Sequence, residues 1–210
     1  MEIHSKFDEV DISVYHLVFI GNSINNIIEA FSKVIYKIDD LHEKVLYVST
    51  FSIVLIQTVS FLDEYHNFLK TDNEELNNTI KVIKKTVKPA TDQIKKWRDI
   101  NEFRNNVLAH NLRDRKKMMT VFEKGLSSYD IPKNSNDLMV LQNCISAIKQ
   151  TFESAFASRL QILQEYLDKL KIPPKENKFK NSKEAKKVAQ TIYNQVNTNI
   201  AQLKSSVLNE

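Results

Sequence analysis

The spacing of its apolar residues constrains the fold of this chain more than any other feature. From Val14 to Ile38, and again from Phe51 to Leu69, apolar residues recur at intervals of three and four. Because an α-helix has about 3.6 residues per turn, this interval places them on one helical face. Both stretches are long enough to form the antiparallel frame of a helical bundle.

The chain is also poor in the residues that a sheet protein needs at its turns. It has 2 glycines and 4 prolines among 210 residues. Because glycine supplies the unusual backbone angles of tight turns, this scarcity favours long helices and few reversals. The sequence therefore predicts an all-α protein, an antiparallel bundle of four to five long helices with a C-terminal helical extension.

Caps and prolines mark the remaining helices. Thr71 is expected to cap a third helix, which Pro89 ends or kinks. Thr91 restarts a helix that continues to the apolar contact at Phe103. A further long helix with the same apolar interval is predicted from Leu138 to Leu170.

The last part of the chain changes in composition. Residues 1–174 are predicted to form the bundle, and residues 175–187, which are polar and rich in lysine, are interpreted as a linker. Residues 188–210 are predicted to form a C-terminal helix with a narrower apolar face. Such a face suits docking on a partner or on the side of the bundle.

The second helix raises the question of a membrane. No charged residue occurs from Val45 to Leu62, but six serine, threonine or glutamine residues dilute the stretch. A membrane span needs about 20 predominantly apolar residues, so we expect a central helix packed on several sides. With no readable signal peptide and one cysteine, Cys144, the expected location is the cytoplasm.

Twelve residues from Phe103 to Asp114 hold the most specific pattern. Arg104 and Asn105 precede the apolar residues 107–109, and His110 and Asn111 follow. This pattern resembles the signature of the HEPN superfamily, an arginine, four to six intervening residues and a histidine. The resemblance implies an all-helical domain that acts as a dimeric ribonuclease without a metal or other cofactor. It also implies a role as a toxin or phage-defence effector, with an antitoxin among its partners.

The spacing of the two signature residues favours a dimer. On one continuous helix, Arg104 and His110 would lie about 120° apart and on different faces. Either the helix ends before His110, with Asn111 as a left-handed cap, or two chains assemble the site across a two-fold axis. In the superfamily that the chain resembles, two copies of the motif face each other across the dimer.

The residue types suit RNA cleavage. By resemblance, His110 assists attack of the RNA 2′-hydroxyl on the phosphate or protonates the leaving oxygen. Arg104 holds the phosphate and its developing charge, and Asn105 orients His110 or bonds a phosphate oxygen. The expected products carry a 2′,3′-cyclic phosphate and a 5′-hydroxyl. The alternative is a solvated Arg104 paired with Asp99 or Glu102, and a His110 favoured by a helix end.

Acidic and basic residues around the signature extend the candidate site. Asp63 or Glu64 would support the motif as the acidic residue that some members of the superfamily carry, or would mark where a buried helix reaches water. Between Lys81 and Lys117 there are twelve Lys or Arg and four Asp or Glu, whereas the whole chain has a net charge of +4. This concentration favours an RNA partner. The basic residues directly after the motif are the candidate RNA contacts: Arg113, Arg115, Lys116 and Lys117.

Other site chemistries have less support in the sequence. His42 and His66 have no partners at metal-ligand spacing, and no glycine-rich phosphate loop occurs, so no metal or cofactor is expected. Trp97 suits core packing better than base stacking. Two alternatives to the nuclease stay open: a non-catalytic RNA- or nucleotide-binding module, and a structural helical protein that joins a partner.

Overall fold

A computed structural model describes residues 7–34, 40–106, 113–114, 119–120, 128–170 and 181–207 of the chain. The fold class is all-α, as the sequence predicts. The helices are α1 (Glu9–Val34), α2 (Asp40–Asp63), α3 (Glu74–Thr86), α4 (Lys88–Ile94), α5 (Ile100–Asn106), α6 (Ser135–Ala155), α7 (Ala157–Lys169) and α8 (Ser182–Val207). A π-helical turn, Glu64–Phe68, follows α2. The strands β1 (Arg113–Asp114) and β2 (Met119–Thr120) form an antiparallel pair.

Helix α1 lies between two antiparallel neighbours. Against α2 and its π-helical turn, the Ser13 hydroxyl donates to the carbonyl of Phe68 (3.3 Å), and the Phe31 and Tyr47 rings meet at 5.7 Å. Against α6, the Asn25 amide donates to the Ser146 hydroxyl (3.0 Å). Because residue numbers fall on the partner as they rise on α1, both pairings are antiparallel. The apolar stripe of α1 is buried in the core they form, at Val10, Val14, Leu17, Ile24 and Ile28.

Gly21 serves packing in the middle of a helix. A Cβ atom at this position would lie 3.1 Å from Cγ of Lys149 on α6. The absence of a side chain therefore lets the lysine stem cross α1 closely, and the ammonium group reaches Oδ1 of Asn22 at 2.9 Å. One of the two glycines of the chain, Gly21, therefore lies within a helix and does not form a turn.

The charge-free stretch of α2 packs one broad face into the core. Phe51, Val54, Leu55, Thr58 and Phe61 are fully buried, and the Thr58 hydroxyl donates to the carbonyl of Val54 (2.8 Å). On the opposite face Ile53 and Ile56 are exposed, so the expectation of packing on several sides was wrong for this face. By length and composition alone, Leu46–Phe68 is apolar enough to cross a membrane, a test that soluble core helices also pass.

Two predicted continuous helices are broken. The helix expected from Thr91 through Phe103 is interrupted between α4 and α5, because the Asp99 amide donates to the carbonyl of Asp130 (3.1 Å). The long helix expected from Leu138 to Leu170 bends at Phe156, between α6 and α7. This bend leaves the Phe156 ring buried, 6.4 Å from the ring of Phe152.

Two predicted helix starts also move. Thr71 was wrong as the cap of α3: its hydroxyl donates to Asp8, and the Asn73 side chain accepts from the Leu76 amide (3.1 Å) instead. Asparagine ranks above threonine as a cap, so local preference already favoured Asn73 over Thr71. Helix α8 begins at Ser182 rather than Val188, because the Asn181 side chain caps it by accepting from the Glu184 amide (2.9 Å).

The chain divides into two compact units. The first extends to Lys169, and the second, from Leu170 to Glu210, contains α8. The predicted linker at 175–187 is helical from Ser182 onward, and its earlier part lies outside the described residues except for Asn181. Within α8, the side chains of Val188, Ile192 and Val196 are exposed on one apolar stripe.

A buried ion pair joins the start of α1 to α7. Asp11 is 3% exposed, and its carboxylate accepts from Nε and Nη2 of Arg159, the latter at 2.7 Å. The hydrogen bond to Asp11 raises the pKa of the Arg159 guanidinium. The Asp8 amide also donates to Asp11 (3.2 Å). Because a buried carboxylate needs its partners, this pair fixes how the first turn of α1 meets α7.

We expect Arg159→Ala to lower the free energy of unfolding by about 2 kcal/mol, since it leaves the Asp11 carboxylate buried without its guanidinium. This is less than a fully buried pair would lose, because the Arg159 side chain is 44% exposed. Urea denaturation measures the change, and combining Asp11→Leu with Arg159→Leu should recover most of it. A loss no greater than that of Lys88→Ala, which breaks an exposed ion pair, would contradict this role.

Candidate functional site

Residues Asp99 and Asp130 hold the helix that carries the signature arginine. The Asp130 amide donates to Oδ2 of Asp99 (2.8 Å), and the Asp99 amide donates to the carbonyl of Asp130 (3.1 Å). Arg98 adds an ion pair, with Nε 3.0 Å from Oδ2 of Asp130. These bonds join two segments 31 residues apart in sequence, so they fix the point at which α5 begins.

Aromatic packing orients α5 beyond that point. Phe103 is 1% exposed, and its ring meets the buried ring of Tyr129 edge-on at 5.0 Å. Ile100, three residues earlier on the same face, is also buried. Because this face is turned to the core, the next residue, Arg104, lies at its edge and is only half-buried, and Asn105 is exposed.

Arg104 and Asn105 form a pair on the surface of α5. Nη1 of Arg104 donates to Oδ1 of Asn105 at 2.8 Å. Asp99, one of the two predicted alternative partners of Arg104, bonds instead to the backbone of Asp130. A guanidinium has five N–H donors, so the bond to Asn105 leaves donor capacity for a bound anion.

The other half of the signature lies outside the described residues. His110 and Asn111, together with Arg115, Lys116 and Lys117, belong to that part of the chain. Arg113 is in β1, where only the backbone is described. The roles expected of these residues therefore stay predictions.

The two acidic candidates have different surroundings. Glu64 is mostly buried, with a carboxylate oxygen 3.5 Å from Nδ1 of His16 on α1. Asp63 is exposed at the end of α2 and lines a cleft. Only Asp63 is thus placed to act on a ligand in this cleft, whereas Glu64 connects α2 to α1.

This feature, hereafter the end-α2 cleft, has a volume of about 370 Å³. It is formed where three elements meet. The end of α2 and the π-helical turn contribute Leu62, Asp63, His66 and Asn67. Helix α4 and the turn after it contribute Thr91, Ile94, Lys95, Trp97 and Arg98, and α5 contributes Ile100 and Asn101.

The cleft has an apolar floor and a polar rim. Ile94 and Ile100 are buried, and Leu62 and Trp97 pack partly against the core. Trp97 therefore packs partly against the core, as expected, and its side chain also lines the cleft. On the rim, burial and then the nearby Lys95 and Lys84 charges lower the pKa of His66, against a smaller opposite effect of Asp63. This shift favours the neutral imidazole, which has one donor and one acceptor nitrogen.

The end-α2 cleft adjoins the Arg104–Asn105 pair. Asn101 lines the cleft, and Arg104 and Asn105 follow it three and four residues later on α5. At 1.5 Å per residue, this separation is about one helical turn, roughly 5 to 6 Å along the axis. A ligand that fills the cleft can therefore extend to the guanidinium of Arg104.

Sequence reasoning missed most of the cleft. His66 and Asn67 follow Asp63 at the three- and four-residue spacing that shares a helix face, a signal that was readable. The opposing wall, Lys95 to Asn101, was not readable, because it depends on the break between α4 and α5, which the sequence predicted as continuous helix. Among the residues that the structure describes, no group of three or more His, Cys, Asp or Glu could hold a metal ion.

Comparison with known proteins gives no further guidance. No protein-family model matches the chain, and neither a curated protein nor a solved structure matches it.

We expect Asp99→Ala to destabilise the protein by about 1 to 2 kcal/mol, because it removes the acceptor of the Asp130 amide and loosens the start of α5. Asp99→Asn keeps an acceptor oxygen and should retain most of the stability. Urea denaturation, with amide exchange at Phe103, measures both effects. An equal loss from the two variants, or no loss beyond that of the exposed Asp92→Ala, would show that this contact does not hold α5.

Proposed function

We propose that this protein is a metal-independent endoribonuclease of the HEPN type that acts as a homodimer in the cytoplasm. The observation that carries the proposal is the Arg104–Asn105 pair on the edge of α5, one helical turn from a polar cleft. Two features of the sequence also support the proposal. Arg104, Asn105 and His110 match the superfamily signature, and positive charge is concentrated around them.

Arg104 supplies the fixed charge of the mechanism. Its guanidinium, held by Asn105, binds the two non-bridging oxygens of the scissile phosphate. Negative charge grows on these oxygens as the fifth bond to phosphorus forms. Because the guanidinium stays protonated throughout, it stabilises that transition state without moving a proton.

His110 supplies the mobile proton. It accepts the proton of the RNA 2′-hydroxyl while the 2′-oxygen bonds to phosphorus. The bond from phosphorus to the 5′-oxygen then breaks, and the leaving oxygen takes up a proton. The electron pair of the broken bond stays on the 5′-oxygen, so the downstream fragment carries a 5′-hydroxyl and the upstream fragment carries the 2′,3′-cyclic phosphate.

The site requires two chains in this proposal. Arg104 and His110 would lie about 120° apart on one ideal helix, whereas two signature segments that face each other across a two-fold axis would bring the arginine of one chain to the histidine of its partner. The biological role that the resemblance supports is a toxin or phage-defence effector, which an antitoxin would restrain. Arg113, Arg115, Lys116 and Lys117 would hold flanking phosphates.

A second candidate is a structural helical protein that joins a partner through α8. The observation that favours it is the exposed apolar stripe of that helix, on which Ile192 is 55% exposed. Failure of the wild-type protein to bind RNA at low salt would favour this role over both cleavage and non-catalytic RNA binding.

We expect His110→Ala to lower the cleavage rate roughly 100- to 10,000-fold while RNA affinity changes little, because the imidazole transfers a proton rather than holding the phosphate. Arg104→Ala should lower the rate roughly 100- to 1,000-fold and also weaken binding, since it removes a phosphate contact. Cleavage of a labelled RNA and a binding titration over several salt concentrations measure the two effects. His42→Ala, near the opposite end of α2, is the matched control.

Mixing the two inactive variants tests the two-chain site. A mixed dimer has one intact Arg104–His110 combination, so random exchange should restore about a quarter of wild-type activity. No restoration would rule out the two-chain site. Full activity of His110→Ala alone would contradict the catalytic role of His110. A wild-type protein that binds RNA but does not cut it would instead be a non-catalytic module.

A further inference from the structure

The size and lining of the end-α2 cleft suit one nucleotide. Its volume of about 370 Å³ lies at the lower end of the range of roughly 300 to 1,000 Å³ for small-molecule sites. Its apolar lining includes the buried Ile94 and Ile100 and the partly buried Trp97. A planar ring that lies on such a floor keeps its polar edge toward the rim, which is how proteins hold an unstacked RNA base.

The rim of the cleft has the groups that read a base edge. Asp63 is an acceptor with two oxygens, one of which takes a bond from the Asn67 amide at 3.5 Å. Asn101, across the cleft, has both a donor and an acceptor. A carboxylate can accept two parallel bonds only from a base that presents adjacent donors. Guanine does so with its ring N–H and amino group, whereas the other three bases place an acceptor beside each donor.

One cation of the cleft is better placed than the other to take a phosphate. Arg98 already forms an ion pair with Asp130, at 3.0 Å. Lys95 is exposed at the rim, beside His66, whose pKa its charge helps to lower. The next residue, Lys96, is also exposed but does not line the cleft, so it offers a matched comparison for Lys95.

We propose that the end-α2 cleft binds one guanine nucleotide of the RNA next to the phosphate held by Arg104, with Asp63 reading the base edge and Lys95 holding its phosphate. The inference rests on the proposed function, which places an RNA phosphate at Arg104, one turn along α5 from the cleft. It makes Asp63 a residue that determines specificity rather than a support of the catalytic motif. Binding of the free nucleotide, however, does not depend on cleavage.

Trp97 is the one tryptophan of the chain, so its fluorescence reports on the cleft directly. The full-length protein is titrated with GMP, AMP, CMP and UMP. We expect a saturable change in emission with GMP, at an affinity roughly tenfold above that for the other three. Asp63→Asn should abolish this preference, because the amide replaces one acceptor with a donor. Asp63 is exposed, and circular dichroism checks that the variant stays folded.

Two further variants separate the outcomes. Lys95→Gln should weaken GMP binding but not guanosine binding, whereas Lys96→Gln should weaken neither. His110→Ala should keep the GMP response even where it loses cleavage, so a failed nuclease proposal leaves this test valid. No saturable response to any nucleotide, or the same four affinities for Asp63→Asn and wild type, would overturn the inference even if RNA is cut.

Discussion

The reciprocal hydrogen bonds between Asp99 and Asp130 determine where α5 begins, and the candidate site depends on that position. They draw a segment 31 residues downstream onto the start of the helix, and the edge-on contact of Phe103 with Tyr129 continues the attachment. With its inner face held in this way, α5 presents Arg104 at the edge of the buried surface. An arginine on a rigid element binds a phosphate with little loss of conformational freedom.

The same attachment explains how charge is distributed around the site. Asp130 pairs with Arg98 at the turn, whereas Lys95 lines the cleft and Arg104 lies on the edge of α5. In the sequence, Lys95 and Arg104 lie on either side of Asn101. Arg104 is about one helical turn from Asn101 along α5. In the proposed function, these two cations would hold phosphates on either side of the nucleotide in the cleft.

Features set by local sequence could be predicted, and features set by distant contacts could not. The apolar interval along α1 and α2 predicted both helices because each residue's position on a helix depends only on its neighbours. The break before Ile100 could not be predicted, because it arises from the bond of Asp99 to a residue 31 positions away. The motif at Arg104 was visible in the sequence, whereas the cleft beside it required the wall from Lys95 to Asn101 to be folded against α2.

The central claim is that the Arg104–His110 site cuts RNA through its 2′-hydroxyl without a metal. The most direct test incubates the wild-type protein with an end-labelled RNA in excess chelator, beside the same RNA with one 2′-deoxy nucleotide at the mapped cut. We predict cleavage of the first, with a 2′,3′-cyclic phosphate at the new end, and none at the deoxy position of the second. Cleavage at the deoxy position, or no cleavage of either RNA, would contradict the account.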